Sequence, residues 1–457
     1  MDDQRRLVAS LNRPFVETHI SYVLFDAGAA YKIKKAVRFP FLDFTTLAAR
    51  EFFCREELRL NRRFAPSLYL GVVPITGTVG APVIGGDGRP IEFAVKMRAF
   101  DQDGLLSRVI ARDELTTERI DALGAVVADF HAGAARAPSD SSFGRLERIL
   151  EDALENFVGL GRSREIDALR EWTGREAARL QATFAARRRQ GLVRECHGDL
   201  HLGNIALVDG AVTLFDCIEF NADMRWIDVM SDVAFLVMDL RDHHRPDLAA
   251  RFLNGYLART ADYAGLDVLR FYVVYRAMVR AKIARLGTAG AEFQGYVDLA
   301  ARETVPQAPA LVITHGVSGS GKSTRAQALV ERGAIAIRSD VERRRLFGPG
   351  EYRADATQQT YDRLAMLART ILSAGYTVVV DATFLRREQR DLMRGVAGDL
   401  HVPFTIADCS APVAVLKDRV ARRAARGDDV SEATLDVLAQ QLATEEPLGA
   451  DEIRAAV

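Results

Sequence analysis

Ala310-Leu311-Val312-Ile313-Thr314, followed after one residue by Gly316-Val317-Ser318-Gly319-Ser320-Gly321-Lys322-Ser323, decides the architecture of the last third of this 457-residue chain. An apolar run of strand length feeds a glycine-rich turn that fits GxxxxGK[ST] in full and opens into a helix-compatible stretch. Glycines at these positions let successive backbone N–H groups face an anion. Lys322 is expected to reach the distal phosphates of a nucleotide and Ser323 to ligate a divalent cation. Gly316, Ser318, Gly319, Ser320, Gly321 and Thr324 complete the expected cradle. Downstream, strand-like runs at 334–337 and 377–380 alternate with helical stretches from Lys322 and over 355–374. That alternation predicts a parallel sheet with right-handed crossovers.

Working back from this segment, the clearest seam is ARETVPQAP at 301–309, where two prolines interrupt the pattern. The expected organisation is one domain over 1–303, a linker over 304–309 and a second domain over 310–457. In residues 1–102 strand-like runs (23–25, 30–33, 72–75 and 93–97) surround one strong helix, which Thr45 or Thr46 can cap and which reaches about Arg63. Residues 103–303 read as amphipathic helix, with Ile120, Leu123, Val127 and Phe130 forming one apolar stripe. Within them, 195–220 reads as a loop and two short strands joined at Asp209-Gly210. The fold class is therefore α/β and multidomain.

Composition narrows the function classes. With 61 basic against 62 acidic residues, the chain shows no global basic excess of the kind that advertises nucleic acid or an anionic membrane. No run of about 18 apolar residues occurs, and the N-terminal MDDQRRLVAS lacks a signal-peptide layout. Cys54, Cys196, Cys217 and Cys409 are scattered with no CxxC pair, which argues for a reducing compartment and against a disulfide framework or zinc site. The expectation is a cytoplasmic protein.

A second constellation precedes the seam: Cys196-His197-Gly198-Asp199-Leu200-His201-Leu202-Gly203-Asn204, then Leu214-Phe215-Asp216-Cys217-Ile218-Glu219. Phosphoryl transfer to a hydroxyl needs positioning, a carboxylate near the nucleophile's proton and divalent ions across the phosphates. Asp199 and Asn204 supply a carboxylate and an amide oxygen from one loop, and Asp216 adds a carboxylate from the strand after the turn. Such hard oxygen ligands suit Mg²⁺.

On these residues the segment resembles the aminoglycoside phosphotransferase group, whose fold is like that of protein kinases. The resemblance spans about 15–290 and is sharp over 196–229. It implies a bilobal α+β kinase-like domain, with an N-lobe over about 1–102 and a helical C-lobe over about 103–303. It implies Asp199 as the catalytic base, Asn204 and Asp216 as Mg²⁺ ligands, and Asp228 of Trp226-Ile227-Asp228 as a brace of the catalytic loop. Lys32 or Lys34, on one face of a strand, would position the nucleotide, with Lys32 the first choice. Its partner would be Glu51, Glu56 or Glu57, of which Glu56 and Glu57 are the better placed. Residues 97–100 sit where an adenine-contacting hinge falls, and His201 lies where it can touch substrate. The chain lacks GxGxxG before the lysine strand, which argues against a protein substrate.

From residue 309 to about 445 the sequence resembles small P-loop kinases of the polynucleotide kinase, zeta toxin and gluconate kinase group. The resemblance implies Asp340 as a general base, Asp381 as an outer-shell Mg²⁺ partner, and Lys322 as both catalytic and nucleotide-binding. Arg419, Arg422, Arg423 and Arg426 would lie in a lid over ATP, Arg422 being the first choice. The basic triplets 187–189 and 343–345 read as exposed helix faces. Together these readings imply an ATP- and Mg²⁺-dependent phosphotransferase acting on an alcohol group of a small molecule. The alternatives are a polynucleotide 5′-hydroxyl kinase, with nucleic acid the less favoured partner, or one catalytic and one nucleotide-sensing site.

Overall fold

The computed structural model describes residues 3–39, 41–286, 290–348, 353–426 and 434–453. The chain folds into two compact units. The first comprises residues 1–155 and 181–239, and the second comprises 156–180 and 240–457.

The first unit begins with a six-stranded antiparallel sheet. Its spatial order is Phe15–Glu17, Ser21–Asp26, Ala29–Lys34, Glu92–Arg98, Tyr69–Thr78 and Ala81–Ile84. The hairpin between the second and third of these turns at Ala27-Gly28, both at positive φ (31° and 87°). Along Ala29–Lys34 the side chains alternate, so Tyr31 and Ile33 join the core formed with Leu7, Val8, Leu24 and Ile75. Lys32 and Lys34 face the other way. Thr46, of the two threonines considered, caps the helix Leu47–Asn61 by accepting the Ala49 amide at 3.1 Å. That helix buries Cys54 among Tyr69, Phe93 and Val95 of the sheet, on the face that carries the two lysines.

The helical part of this unit includes Thr117–Gly133, whose stripe Ile120, Leu123, Val127 and Phe130 is buried as its spacing implies. The hairpin Ile205–Val208 with Ala211–Leu214 turns at Asp209-Gly210, both residues at positive φ (52° and 79°). Strands Val193–Glu195 and Trp226–Asp228 pair beside it and set the two ends of the intervening loops.

The second unit contains a four-stranded, all-parallel sheet in the order Ile335–Arg338, Val378–Asp381, Leu311–His315, Phe404–Asp408. The first three strands match the expected runs to within a residue, and Phe404–Asp408 was not anticipated. The helices Lys322–Val330 and Ala354–Ser373 fall where expected.

The compact units do not part at 304–309. Helix Pro246–Thr260, upstream of the linker, packs on the parallel sheet: Ala250 is buried with Ala326, Val330, Ala334 and Val379. Asn254 of this helix receives the Ala336 amide on Oδ1 (2.7 Å) and donates from Nδ2 to the Ala334 carbonyl (3.1 Å). Its side-chain amide thus acts as a short surrogate strand at the edge Ile335–Arg338. An unpaired edge is a template for unwanted pairing, and this contact covers it. Among the described residues, no helix is long and apolar enough to cross a membrane.

Candidate active sites

In the first unit a buried charge cluster sits between the lysine strand and the helix Leu47–Asn61. Lys32 Nζ lies 3.0 Å from Glu57 Oε1 and also pairs with Asp216. Lys34 Nζ lies 2.7 Å from Glu57 Oε2 and pairs with Glu219. Of the acids expected to partner the lysine, Glu57 does so. Glu56 instead pairs with Arg59, which also reaches Glu195, and Glu51 pairs with Arg55. Both lysines, expected on one face of the strand with only one of them engaged, share Glu57, because an i, i+2 pair points the same way.

Burial would strip both lysines of charge, but Asp216 and Glu57 beside Lys32, and Glu219 and Glu57 beside Lys34, outweigh it and raise both above their ordinary values. Burial likewise disfavours the Glu57 carboxylate, yet Lys32 and Lys34 hold its pKa down at about 2. Burial raises Glu219, with Lys34 opposing. Two ammonium groups against the carboxylates of Glu57, Asp216 and Glu219 leave one net negative charge, which favours a bound cation.

This cluster has a pH consequence. Because Glu57 is depressed on folding, its contribution to stability is complete above the ordinary carboxylate value of 4.5 and is lost as pH falls toward about 2. Acid unfolding of the first unit is expected to steepen across that window, and Glu57→Gln is expected to flatten it. A midpoint-against-pH series in urea, unchanged by the substitution, would refute this.

Asp199 lies on the loop before the hairpin, half-buried. Asn204 Nδ2 donates to both its carbonyl and its Oδ2, each at 2.9 Å, which turns the Asn204 amide oxygen away from Asp199. The buried His197 ring joins this loop to the strand before Asp216. The Asp199 amide donates to Nδ1 at 3.3 Å, so Nε2 carries the proton donated to the Phe215 carbonyl at 2.8 Å. Burial lowers the His197 pKa, in keeping with a neutral ring. Asp216 itself adopts φ 63°, a left-handed conformation for a non-glycine residue, and its amide donates to the Tyr69 hydroxyl at 3.0 Å. Gly198 is required here: at φ 87°, a Cβ would lie 2.6 Å from the Met224 carbonyl oxygen.

The brace of this loop is not Asp228. Asp228 receives Arg187 in a bidentate pair (2.7 and 2.8 Å) and caps the following helix through the Met230 amide at 2.9 Å. Asp232, one turn further on, accepts the His197 amide (2.7 Å) and the Gly198 amide (2.9 Å), and Asp239 accepts the Leu202 amide (2.7 Å). The two acids lie seven residues apart and so point the same way from the helix Val229–Asp242. The available signal for both was a carboxylate at each end of the apolar run Val233–Met238. His201 turns back into the loop, its Nδ1 accepting the Gly203 amide at 3.0 Å and its Nε2 lying 3.5 Å from Asp199. Met97, Phe100 and Phe215 pack against the core around Tyr69, Phe93 and Val95, with the Phe100 and Phe215 rings 5.3 Å apart edge to face.

The basic triplet 187–189 is mostly not an exposed face. Arg187 is buried against Asp228, and Arg188 donates to the carbonyls of Ser139, Ser141 and Phe143, leaving Arg189 outside.

In the second unit the glycine-rich loop bends through Gly316, Gly319 and Gly321 at φ 127°, 83° and 103°. A Cβ on Gly316 would lie 2.1 Å from the Cys409 carbonyl oxygen. Residues 318–325 line a cavity of about 1000 Å³. Lys322 Nζ donates to the Val317 carbonyl at 2.8 Å, and Ser323 Oγ donates to Asp381 Oδ2 at 2.8 Å. Thr324 lines the cavity exposed, and the buried Ser320 hydroxyl has no hydrogen-bond partner among the described residues. That orphan and the paired Ser323–Asp381 oxygens fit a phosphate-bound divalent cation. Asp340 lines the same cavity from the first turn of the helix Ser339–Phe347.

Arg422 does not reach the cavity. Asp418, one turn back, draws it to the solvent face at 2.9 Å, and it remains 73% exposed. Arg419 lines the cavity instead, donating to the Gly319 carbonyl at 3.0 Å. The side chains of Arg423 and Arg426 lie outside the described residues. Gln441 of the helix Leu435–Thr444 accepts the Ser318 amide at 2.8 Å. Nothing in its local sequence announced that contact.

Residues 54–272 match the family described as "Phosphotransferase enzyme family", and residues 311–448 match the family described as "AAA domain". Uncharacterized proteins of Mycobacterium tuberculosis and Mycobacterium bovis are each 30% identical over 449 residues, covering 92% of this chain and 89% of the relative. Among solved structures, the GDP and kanamycin complex of APH(2")-IIia is 14% identical, covering 63% of this chain and 91% of that one at a TM-score of 0.39. A gluconokinase from Sinorhizobium meliloti 1021 is 23% identical, covering 33% of this chain and 82% of its own at a TM-score of 0.27. The APS kinase CysC of Mycobacterium tuberculosis, in complex with AMPPNP and APS, is 28% identical, covering 28% and 78% at a TM-score of 0.24. The chain belongs to the same family as the mycobacterial relatives, an enzyme in which a phosphotransferase-family kinase domain is followed by a P-loop kinase domain.

Proposed function

We propose that both sites transfer the γ-phosphoryl group of Mg·ATP to an alcohol of a small molecule, one in a module over 1–303 and the other in a module over 310–457. The observation that carries the reading is the His197 bridge. One buried ring holds the Asp199 loop against Phe215, between the end of the strand Ala211–Leu214 and Asp216, while Lys32 ties Asp216 to Glu57. A carboxylate for the acceptor, oxygens for a metal and a cation for the phosphates thus converge.

In the first module Asp199 orients the acceptor hydroxyl and takes its proton as the oxygen attacks phosphorus. Lys32, positioned by Glu57, holds the nucleotide phosphates, and residues 97–100 meet the adenine. Asn204 and Asp216 would hold Mg²⁺, which would supply positive charge against the phosphates. In the second module Lys322 and the loop amides hold the phosphates, Ser323 and Asp381 would hold Mg²⁺, and Asp340 takes the acceptor proton. Arg419 is placed to meet charge developing on the transferred group.

Nucleotide-binding stoichiometry tests the reading. The intact chain is expected to bind two equivalents of a non-hydrolysable ATP analogue with Mg²⁺, and Lys322→Ala one. Transfer from γ-labelled ATP to sugars, aminoglycosides, nucleosides and 5′-hydroxyl oligonucleotides then names each acceptor. Two equivalents bound with no acceptor labelled by wild type would overturn the two-kinase reading in favour of sensing.

A further inference from the structure

Every backbone amide from Phe215 to Ile218, the segment that carries the Asp216 carboxylate, has a partner. The outer two donate to the Asp199 loop: Phe215 to the Asn204 carbonyl at 3.0 Å, and Ile218 to the His197 carbonyl at 3.1 Å. The inner two donate to side chains of the N-terminal sheet and helix. The Asp216 amide meets the Tyr69 hydroxyl and the Cys217 amide meets Asn61 Oδ1, each at 3.0 Å. Tyr69 opens the strand Tyr69–Thr78 and Asn61 ends the helix Leu47–Asn61, and both are buried.

The Asn61 side chain is itself aimed. Its Nδ2 donates to the Glu57 carbonyl, one turn back, at 2.8 Å, which turns Oδ1 toward Cys217. One helix thus sets Glu57 against Lys32 and Asn61 against the chain beside Asp216. Packing alone would be met by phenylalanine at 69 and leucine at 61. A hydroxyl and an amide in this core need partners, and the ones they take are the two peptide groups that flank the Asp216 Cα. Fixing both peptide planes fixes φ and ψ between them. The value held, φ 63°, is one that a non-glycine residue keeps only when its surroundings impose it. The Cys217 side chain is buried while that of Asp216 is 40% exposed.

We propose that Tyr69 and Asn61 are positioning residues of the first site, holding the Asp216 backbone in the one conformation that presents its carboxylate to a divalent cation. The proposal rests on the reading of Asp216 as a metal ligand. With either contact gone, Asp216 relaxes toward ordinary backbone angles, and apparent metal affinity falls with the fraction of molecules still in the competent conformation.

The test uses the full chain in the Lys322→Ala background, with a non-hydrolysable ATP analogue. Mn²⁺ is the probe, its binding read from loss of the free ion's paramagnetic resonance signal. Tyr69→Phe removes one oxygen and leaves the ring, and is expected to weaken Mn²⁺ binding by about 5- to 30-fold. Hydrogen exchange of the segment 215–218, measured without metal or nucleotide, is expected to quicken. Analogue affinity without divalent ion is expected to move by less than about twofold. Asn61→Leu is expected to act in the same direction, and should it fail to fold, Tyr69→Phe still decides. Phe93→Leu, in the same core as Tyr69 but away from these amides, is the control for simple loosening and is expected to leave Mn²⁺ binding within about twofold.

Mn²⁺ binding that falls with Asp216→Asn but not with Tyr69→Phe overturns the proposal and leaves the metal reading intact. An equal fall in Phe93→Leu and Tyr69→Phe assigns the effect to a softened core and also overturns the proposal. Binding indifferent to Asp216→Asn overturns the metal reading itself, and the proposal with it.

Discussion

Asp199→Asn is expected to lower turnover at the first site by about 10²–10⁴-fold, the usual worth of a positioned proton acceptor. The substitution keeps an oxygen where Asn204 Nδ2 donates, so the loop geometry survives, but it removes the carboxylate proposed to take the acceptor proton. Because the nucleotide contacts assigned here run through Lys32, Asn204 and Asp216, KM for ATP is expected to stay within about threefold of wild type, below one kcal/mol. The measurement belongs in the Lys322→Ala background, where the second site is silent. Turnover there within a factor of two or so of the parent would remove Asp199 from the chemistry.

The largest expected loss of stability comes from Arg187→Ala. Arg187 and Asp228 are each 2% exposed and joined by two hydrogen bonds of 2.7 and 2.8 Å. Removing one member of a buried pair strands the other charge, at a cost of about 3–5 kcal/mol. Asp228 also caps the helix that carries Asp232 and Asp239, so the damage passes to the loop those residues hold. Arg187→Lys is expected to rescue little, since an ammonium cannot reproduce the fork. Equilibrium urea unfolding, followed by a probe in the first unit, checks this; a shift below about 1 kcal/mol would place the pair among weak surface bridges.

What was legible in the sequence was what a local pattern can encode. The GxxxxGK[ST] loop, its flanking strand and helix, and the Asp199–Asn204 spacing all lie within short windows. They fold as read. Lys32 and Lys34 were legible as a pair because a strand's alternation puts them on one face. That both would be buried, with Glu57 shared between them and Glu219 closing the cluster, depends on a loop some 185 residues away. Asp232 was passed over for Asp228 because the motif ends at Asp228, while the register of a helix decides which carboxylate meets the loop amides. Arg422 was preferred to Arg419 although Asp418, one turn before it, is a local partner that draws it to the solvent face. Gln441 is an ordinary polar residue on an amphipathic helix, and only tertiary placement gives it the Ser318 amide.

The amide of Asn254, set against the edge strand Ile335–Arg338, changes what a detachable part of this protein is. A shuffled fusion is ordinarily separable at its linker, each piece keeping its own surface. Here a fragment beginning at 310 would carry away a sheet whose outermost strand has lost its cover, along with the apolar contacts of Ala250. Such a fragment is a candidate for self-association, whereas one beginning near 240 retains the seal. The helix Pro246–Thr260 is written in the polypeptide as the end of one kinase and serves in space as the margin of the other, so the two coding regions are not free to be exchanged independently.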